Sequence, residues 1–69
     1  MPKLKSSKEI INILENSGFI FVSQKGSHGK FYKEKSKTVV IVPMNKREIP
    51  IGTFLSIVRQ SKLDKEIFN

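Results

Sequence analysis

Apolar positions in this chain change period twice, from helical spacing to strand runs and back to helical spacing. Ser6-Ser7-Lys8-Glu9 fits a capping box, in which the Ser6 hydroxyl takes the Glu9 amide and the Glu9 side chain reaches back to the Ser6 amide. Ile10, Ile13, Leu14 and Ser17 follow at helical spacing, with Ile11 widening the apolar stripe. Gly18 supplies the left-handed residue that closes such a helix, so the pattern predicts a helix over about 7–17.

Residues 19–25 are rich in aromatic and β-branched side chains and turn polar at Gln24 and Lys25, which predicts a strand. Gly26-Ser27-His28-Gly29 reads as a turn, with two glycines available for positive φ. A second strand over 30–34 sets Phe31 and Lys33 on one face and Lys30, Tyr32 and Glu34 on the other. Lys35-Ser36-Lys37 turns the chain into a third strand, 38–42, which Pro43 stops because proline cannot donate to the ladder. After a loop over 44–52, Thr53 is positioned to cap a helix over about 54–61, with Leu55 and Val58 facing inward. Asp64 then caps a last short turn over 65–68.

The element order is α-β-β-β-α, with strand connections short enough for hairpins. The predicted fold class is α+β: a two-layer sandwich with a three-stranded antiparallel sheet and both helices on one face. The other face is left to solvent. The core expected from this pattern comprises Ile10, Ile11, Ile13, Leu14, Phe19, Ile20, Phe21, Val22, Phe31, the run 39–42, Leu55 and Val58.

Composition sharpens this picture in two respects. Sixty-nine residues form one domain, 1–69, near the lower limit for unassisted folding, and without cysteine no disulfide can staple it. The basic N-terminal stretch Met1-Pro2-Lys3-Leu4-Lys5-Ser6 lacks the apolar run of a signal peptide, and no stretch is long enough to span a membrane. The expected location is the cytoplasm. The net charge of +7 points to a polyanionic partner. Most of that charge sits in the middle third, where Lys25, Lys30, Lys33, Lys35, Lys37, Lys46 and Arg47 stand against Glu34 alone.

Candidate chemistry centres on His28, the only histidine. The few scattered carboxylates give no three- or four-ligand metal set, and no cofactor motif is present. An imidazole beside Lys25 and Lys30 suits cleavage of RNA by its own 2′-hydroxyl, with the ring taking the proton and cations stabilising the phosphorane. A second histidine for the leaving group is absent, which leaves a lysine, a water or Tyr32 as the acid.

The succession Gly18-Phe19, Gln24-Lys25-Gly26-Ser27-His28, a valine-rich strand ending in Pro43, and Gly52-Thr53-Phe54-Leu55 resembles the HicA (YcfA-like) toxins of type II toxin–antitoxin systems, over about residues 6–63. The resemblance implies a double-stranded-RNA-binding-domain-like fold and a metal-independent mRNA endoribonuclease whose catalytic histidine falls on His28. It further implies neutralisation by a HicB-type antitoxin, with DNA contacted only through that antitoxin. Many members carry a second histidine as Pro-x-His after the third strand; here Pro43-Met44-Asn45 puts Asn45 there. The site expected on these grounds is His28 as catalyst, with Lys25, Gly26, Ser27, Lys30, Lys46 and Arg47 holding RNA. The rival expectations are a non-catalytic RNA-binding module with the same basic face, and a basic subunit that only docks an acidic protein.

Overall fold

The computed structural model describes residues 3–69, so Met1 and Pro2 of the basic N-terminal stretch lie outside the described residues. The elements run α1 (Ser7–Asn16), β1 (Ile20–Lys25), β2 (His28–Lys33), β3 (Thr38–Pro43), α2 (Ile51–Ser61) and a closing 3₁₀ helix (Lys65–Phe68). The three strands form one antiparallel sheet in the order β1-β2-β3, and both helices pack against it. This is the α+β arrangement the periodicity predicts.

α1 begins at the expected capping box. The Ser6 amide donates to Glu9 Oε1 at 3.0 Å and the Glu9 amide donates to Ser6 Oγ at 3.1 Å. The bond from the Ser6 backbone holds the Glu9 carboxyl below its ordinary value. The cap's contribution is therefore present above the ordinary glutamate pKa and fades as pH falls through the lowered folded value. At the other end Gly18 takes φ +100, as a helix-closing glycine does.

The core lies between the helices and one face of the sheet: Ile10, Leu14, Phe19, Phe31, Val40, Val42, Ile49, Phe54, Ile57 and Phe68. Strand alternation divides the apolar runs that the sequence pattern assigned wholly to the core. Val40 and Val42 are buried while Val39 and Ile41 face solvent, and Ile20, Phe21 and Val22 of β1 are also exposed. Phe21 does reach the buried Phe31 edge-on, with ring centroids 5.6 Å apart.

α2 starts three residues before the position expected of a Thr53 cap. Pro50 is the N-cap residue, and its carbonyl accepts the Phe54 amide at 2.9 Å, the first bond of the helix. Phe54, Ile57 and Ser61 consequently face inward, Val58 packs at the margin, and Leu55 points outward. The inward face is fixed by the closing 3₁₀ helix, which Asp64 caps as expected and which brings Phe68 edge-on to Phe54 at 5.8 Å. Gln60 on α2 also accepts the outward Ile41 amide at 3.1 Å, which covers part of the β3 edge.

The loop after β3 is sewn to the start of the chain. Buried Ser7 donates its hydroxyl to the Pro43 carbonyl and accepts the Lys46 amide at 2.9 Å. The Ser7 amide in turn donates to the Lys46 carbonyl, and the Ile49 amide donates to the Lys5 carbonyl at 2.8 Å. These bonds deliver Ile49 into the core.

Gly29 lies in β2 rather than in a turn, and it is buried against the side chain of Met44. A Cβ at Gly29 would stand 2.6 Å from Met44 Sδ and 3.2 Å from Met44 Cγ, so the methionine would have to move. Gly29→Ala is expected to destabilise the fold by about 1–3 kcal/mol, as overpacking does. For a domain of this size that lowers the melting temperature by roughly 4–8 °C per kcal/mol. Combining it with Met44→Ala should recover part of the loss. Equal melting temperatures for wild type and Gly29→Ala, or strictly additive effects in the double variant, would refute the contact.

Candidate functional site

Cross-strand register determines which side chains share the sheet face that the helices leave bare. β2 alternates, with Gly29 and Phe31 buried against the core and His28 and Lys30 exposed on the other side. Residues directly opposite one another in a ladder share a face. On β3 the partners of His28, Lys30 and Tyr32 are Pro43, Ile41 and Val39. On β1 they are Lys25, Ser23 and Ile20. The open face is thus three rows: Lys25–His28–Pro43, Ser23–Lys30–Ile41 and Ile20–Tyr32–Val39.

Simple alternation along β1 would not produce this array, because Ile20 and Lys25 differ in parity. The register shifts between Phe21 and Ser23, leaving Val22 as the extra residue of a bulge. The bulge turns Ser23 and Lys25 onto the open face beside Lys30 and His28. Nothing in the apolar run 19–22 reveals it, since four consecutive apolar residues carry no alternation to interrupt.

His28 itself is displaced from its expected place. The turn is only Gly26-Ser27, since Lys25 already pairs with His28, and His28 is the first residue of β2. Gly26 alone uses positive φ, at +58, which a two-residue hairpin connection requires. Its carbonyl accepts the Gln24 side-chain amide at 2.9 Å. The Ser27 carbonyl accepts the Met44 amide at 2.7 Å, which ties the turn to the chain leaving β3. The imidazole is therefore exposed but mounted on a strand paired on both sides, not on a mobile loop.

Of the expected site residues, Lys25, His28 and Lys30 come together with Ser23 and Ile41 around one shallow depression. Gly26 and Ser27 form the turn at its end. Lys46 lines a different depression, with Ser7, Lys8, Ile11, Asn12, Met44 and Asn45, on the α1 side of the post-β3 loop. Arg47 is exposed in the same loop. The remaining cations disperse. Lys33 lies on the helix side with its ammonium 5.9 Å from the centre of the Phe19 ring, and Lys35 and Lys37 sit at the far end of the sheet. Asn45, at φ +58, shares the depression of Lys46 rather than that of His28. Among the described residues no group of three or more histidine, aspartate or glutamate side chains is placed to hold a metal ion. Nor is any helix of the described residues long and apolar enough to cross a membrane.

A family model described as the HicA toxin of bacterial toxin–antitoxin systems matches residues 7–63, from the first residue of α1 to just beyond α2. The chain belongs to the HicA toxin family. It is accordingly the toxin member of a toxin–antitoxin system, in a family whose members are generally ribonucleases, and an antitoxin is its implied partner. Comparison with curated proteins gave no match.

The placement of Lys25 in this HicA toxin is testable without knowing the ligand. Exchanging the residues at 24 and 25 (Gln24→Lys with Lys25→Gln) moves that cation to the opposite face of β1 while leaving the net charge at +7. The exchange variant, with its fold checked by circular dichroism, should elute from immobilised heparin at lower salt than wild type. Deleting Val22 should not lower it, since the remaining residues alternate with Ser23 and Lys25 still on the open face. Unchanged elution of the exchange variant would show that the facing of Lys25 does not organise the cationic surface.

Proposed function

We propose that this HicA toxin is a metal-independent mRNA endoribonuclease in which His28 is the proton-transferring residue. The observation that carries the reading is the exposed His28 between Lys25 on the neighbouring strand and Lys30 on its own, around one open depression. A neutral imidazole there removes the proton of a ribose 2′-hydroxyl. The 2′-oxygen attacks the adjacent phosphorus, the bond to the 5′-oxygen breaks, and that oxygen leaves with a proton. The products are a 2′,3′-cyclic phosphate and a 5′-hydroxyl. The two ammonium groups stabilise charge on the non-bridging oxygens as the phosphorane forms.

The proton for the leaving oxygen comes from Lys25, Lys30 or a bound water. Tyr32, four residues along the same strand face, stands about 13 Å from His28 at 3.3 Å per residue, too far to serve the same phosphate. Gly26 and Ser27 admit the RNA backbone at the turn, and Lys46 and Arg47 hold phosphates further along the strand. A HicB-type antitoxin neutralises the toxin by covering this face with acidic surface, and DNA is reached only through that antitoxin. The substrate places the reaction in the cytoplasm.

His28→Ala should lower cleavage of a single-stranded RNA about 10²–10⁴-fold, the usual share of one general acid–base group. The comparison is made in EDTA, with RNA binding measured for both proteins; binding should survive because the side chain is exposed. Equal cleavage by the two proteins would end the assignment. Lys25→Ala and Lys30→Ala should each reduce the slope of log K against log salt by about 0.7 for a single strand. An unchanged slope removes that lysine from the phosphate contacts.

A further inference from the structure

The third row of the open face, Ile20–Tyr32–Val39, has no part in proton transfer. Its two aliphatic members are 62% and 41% exposed, and Ile41 beside it is 38% exposed. Tyr32 lies between Ile20 and Val39, paired directly with each, so the two aliphatic side chains flank it on the same face. Among the described residues no element packs over this face, because both helices are on the other one. The result is an aromatic ring set in a small apolar floor on the same surface as two lysines.

We propose that Tyr32 is a stacking platform for an unpaired base, and that the ligand of this face is single-stranded RNA held at Tyr32 and at the Lys25–Lys30 end together. The spacing supports this occupant. Successive rows are two residues apart on β2, about 6.6 Å, which is close to one nucleotide step along an extended strand. A strand whose phosphates run past His28 and Lys30 brings a base over Tyr32 about two steps from the bond under attack. Only a single strand offers charge and a bare aromatic face at that interval, since a duplex keeps its bases stacked inside. The inference rests on the ribonuclease reading for its ligand class but concerns a binding subsite, not the proton transfer.

Tyr32 is the only tyrosine and the chain has no tryptophan, so tyrosine fluorescence reports on this position alone. The probe is a single-stranded 2′-O-methyl oligoribonucleotide, which cannot form the cyclic phosphate and stays intact with the wild-type protein. It should quench the emission in a saturable manner, whereas a duplex of the same sequence and inorganic polyphosphate should bind with salt dependence and leave the emission unchanged. Tyr32→Ala should weaken single-strand binding about 5- to 150-fold, the range for loss of one base–aromatic stack, and Tyr32→Phe should retain most of it. Absence of quenching by the single strand, or equal affinity of wild type and Tyr32→Ala, overturns the proposal and leaves the apolar row to a protein partner. The outcome is independent of His28→Ala, because quenching is read without cleavage and cleavage without Tyr32 emission.

Discussion

The structure depends on the register of β2. As the central strand it pairs on both sides, with a buried face of Gly29 and Phe31 and an exposed face of His28 and Lys30. A slip of one residue would exchange the two faces, driving an imidazole and an ammonium into the core while expelling Phe31. Burial of Phe31 alone opposes such a slip. Gly29 adds a second constraint, because only a residue without Cβ leaves room for Met44 beneath the strand. The Met44 amide in turn completes the ladder at Ser27. One glycine thus couples core packing, the end of β3 and the position of the neighbouring histidine.

Much of this was legible in the sequence, and the parts that were not share a cause. The capping box, the helix-closing Gly18, the three strands and the Asp64 cap are local devices, and local spacing reveals them. The faces of 30–33 were equally readable because Phe31 stands among polar neighbours. In 19–22 and 39–42 every position is apolar, so composition could not separate inward from outward residues. Ile49 and Phe68 enter the core through long-range ties, the Lys5 and Ser7 backbone contacts and the fold-back onto Phe54, which have no periodic signature. The start of α2 was hidden differently: Pro50 and Gly52 read as loop residues, yet the Pro50 carbonyl accepts the first helical bond.

At the candidate site the sequence identified the residue types better than their arrangement. The Gly26-Ser27-His28-Gly29 motif was read as one turn with two permissive glycines. The two glycines instead serve unlike purposes, Gly26 through backbone conformation and Gly29 through lack of volume. The basic middle third read as one cationic face, but alternation and the bulge select only Lys25 and Lys30 to join His28. The bulge at Val22 also bears on β1 as an edge. Among the described residues its outer side has no strand partner, and its apolar residues are exposed, a combination that invites pairing with other chains. A bulge disturbs the regular spacing such pairing needs, so the same irregularity that turns Lys25 toward His28 also blunts the edge.

Moving His28 from a turn to a strand changes what the proposed proton transfer asks of it. A histidine on a flexible loop would have to be ordered by its substrate at each encounter, and part of the binding energy would go to that ordering. On β2 its backbone is held by both neighbouring strands before any ligand arrives, and the backbones of Lys25 and Lys30 are fixed relative to it by the same ladders. Such preorganisation favours stabilisation of a charged transition state, since donors need not reorganise as charge develops. On the proposed ribonuclease reading it also lets one imidazole suffice. In that proposal, with two cations beside the phosphate, the leaving oxygen takes its proton from a nearby ammonium or water rather than from a second histidine. Asn45, across the loop in a separate depression, is not positioned to supply one. A rigid face leaves flexibility to the ligand, and of the ligands proposed for it an unpaired strand of RNA has that flexibility where a duplex does not.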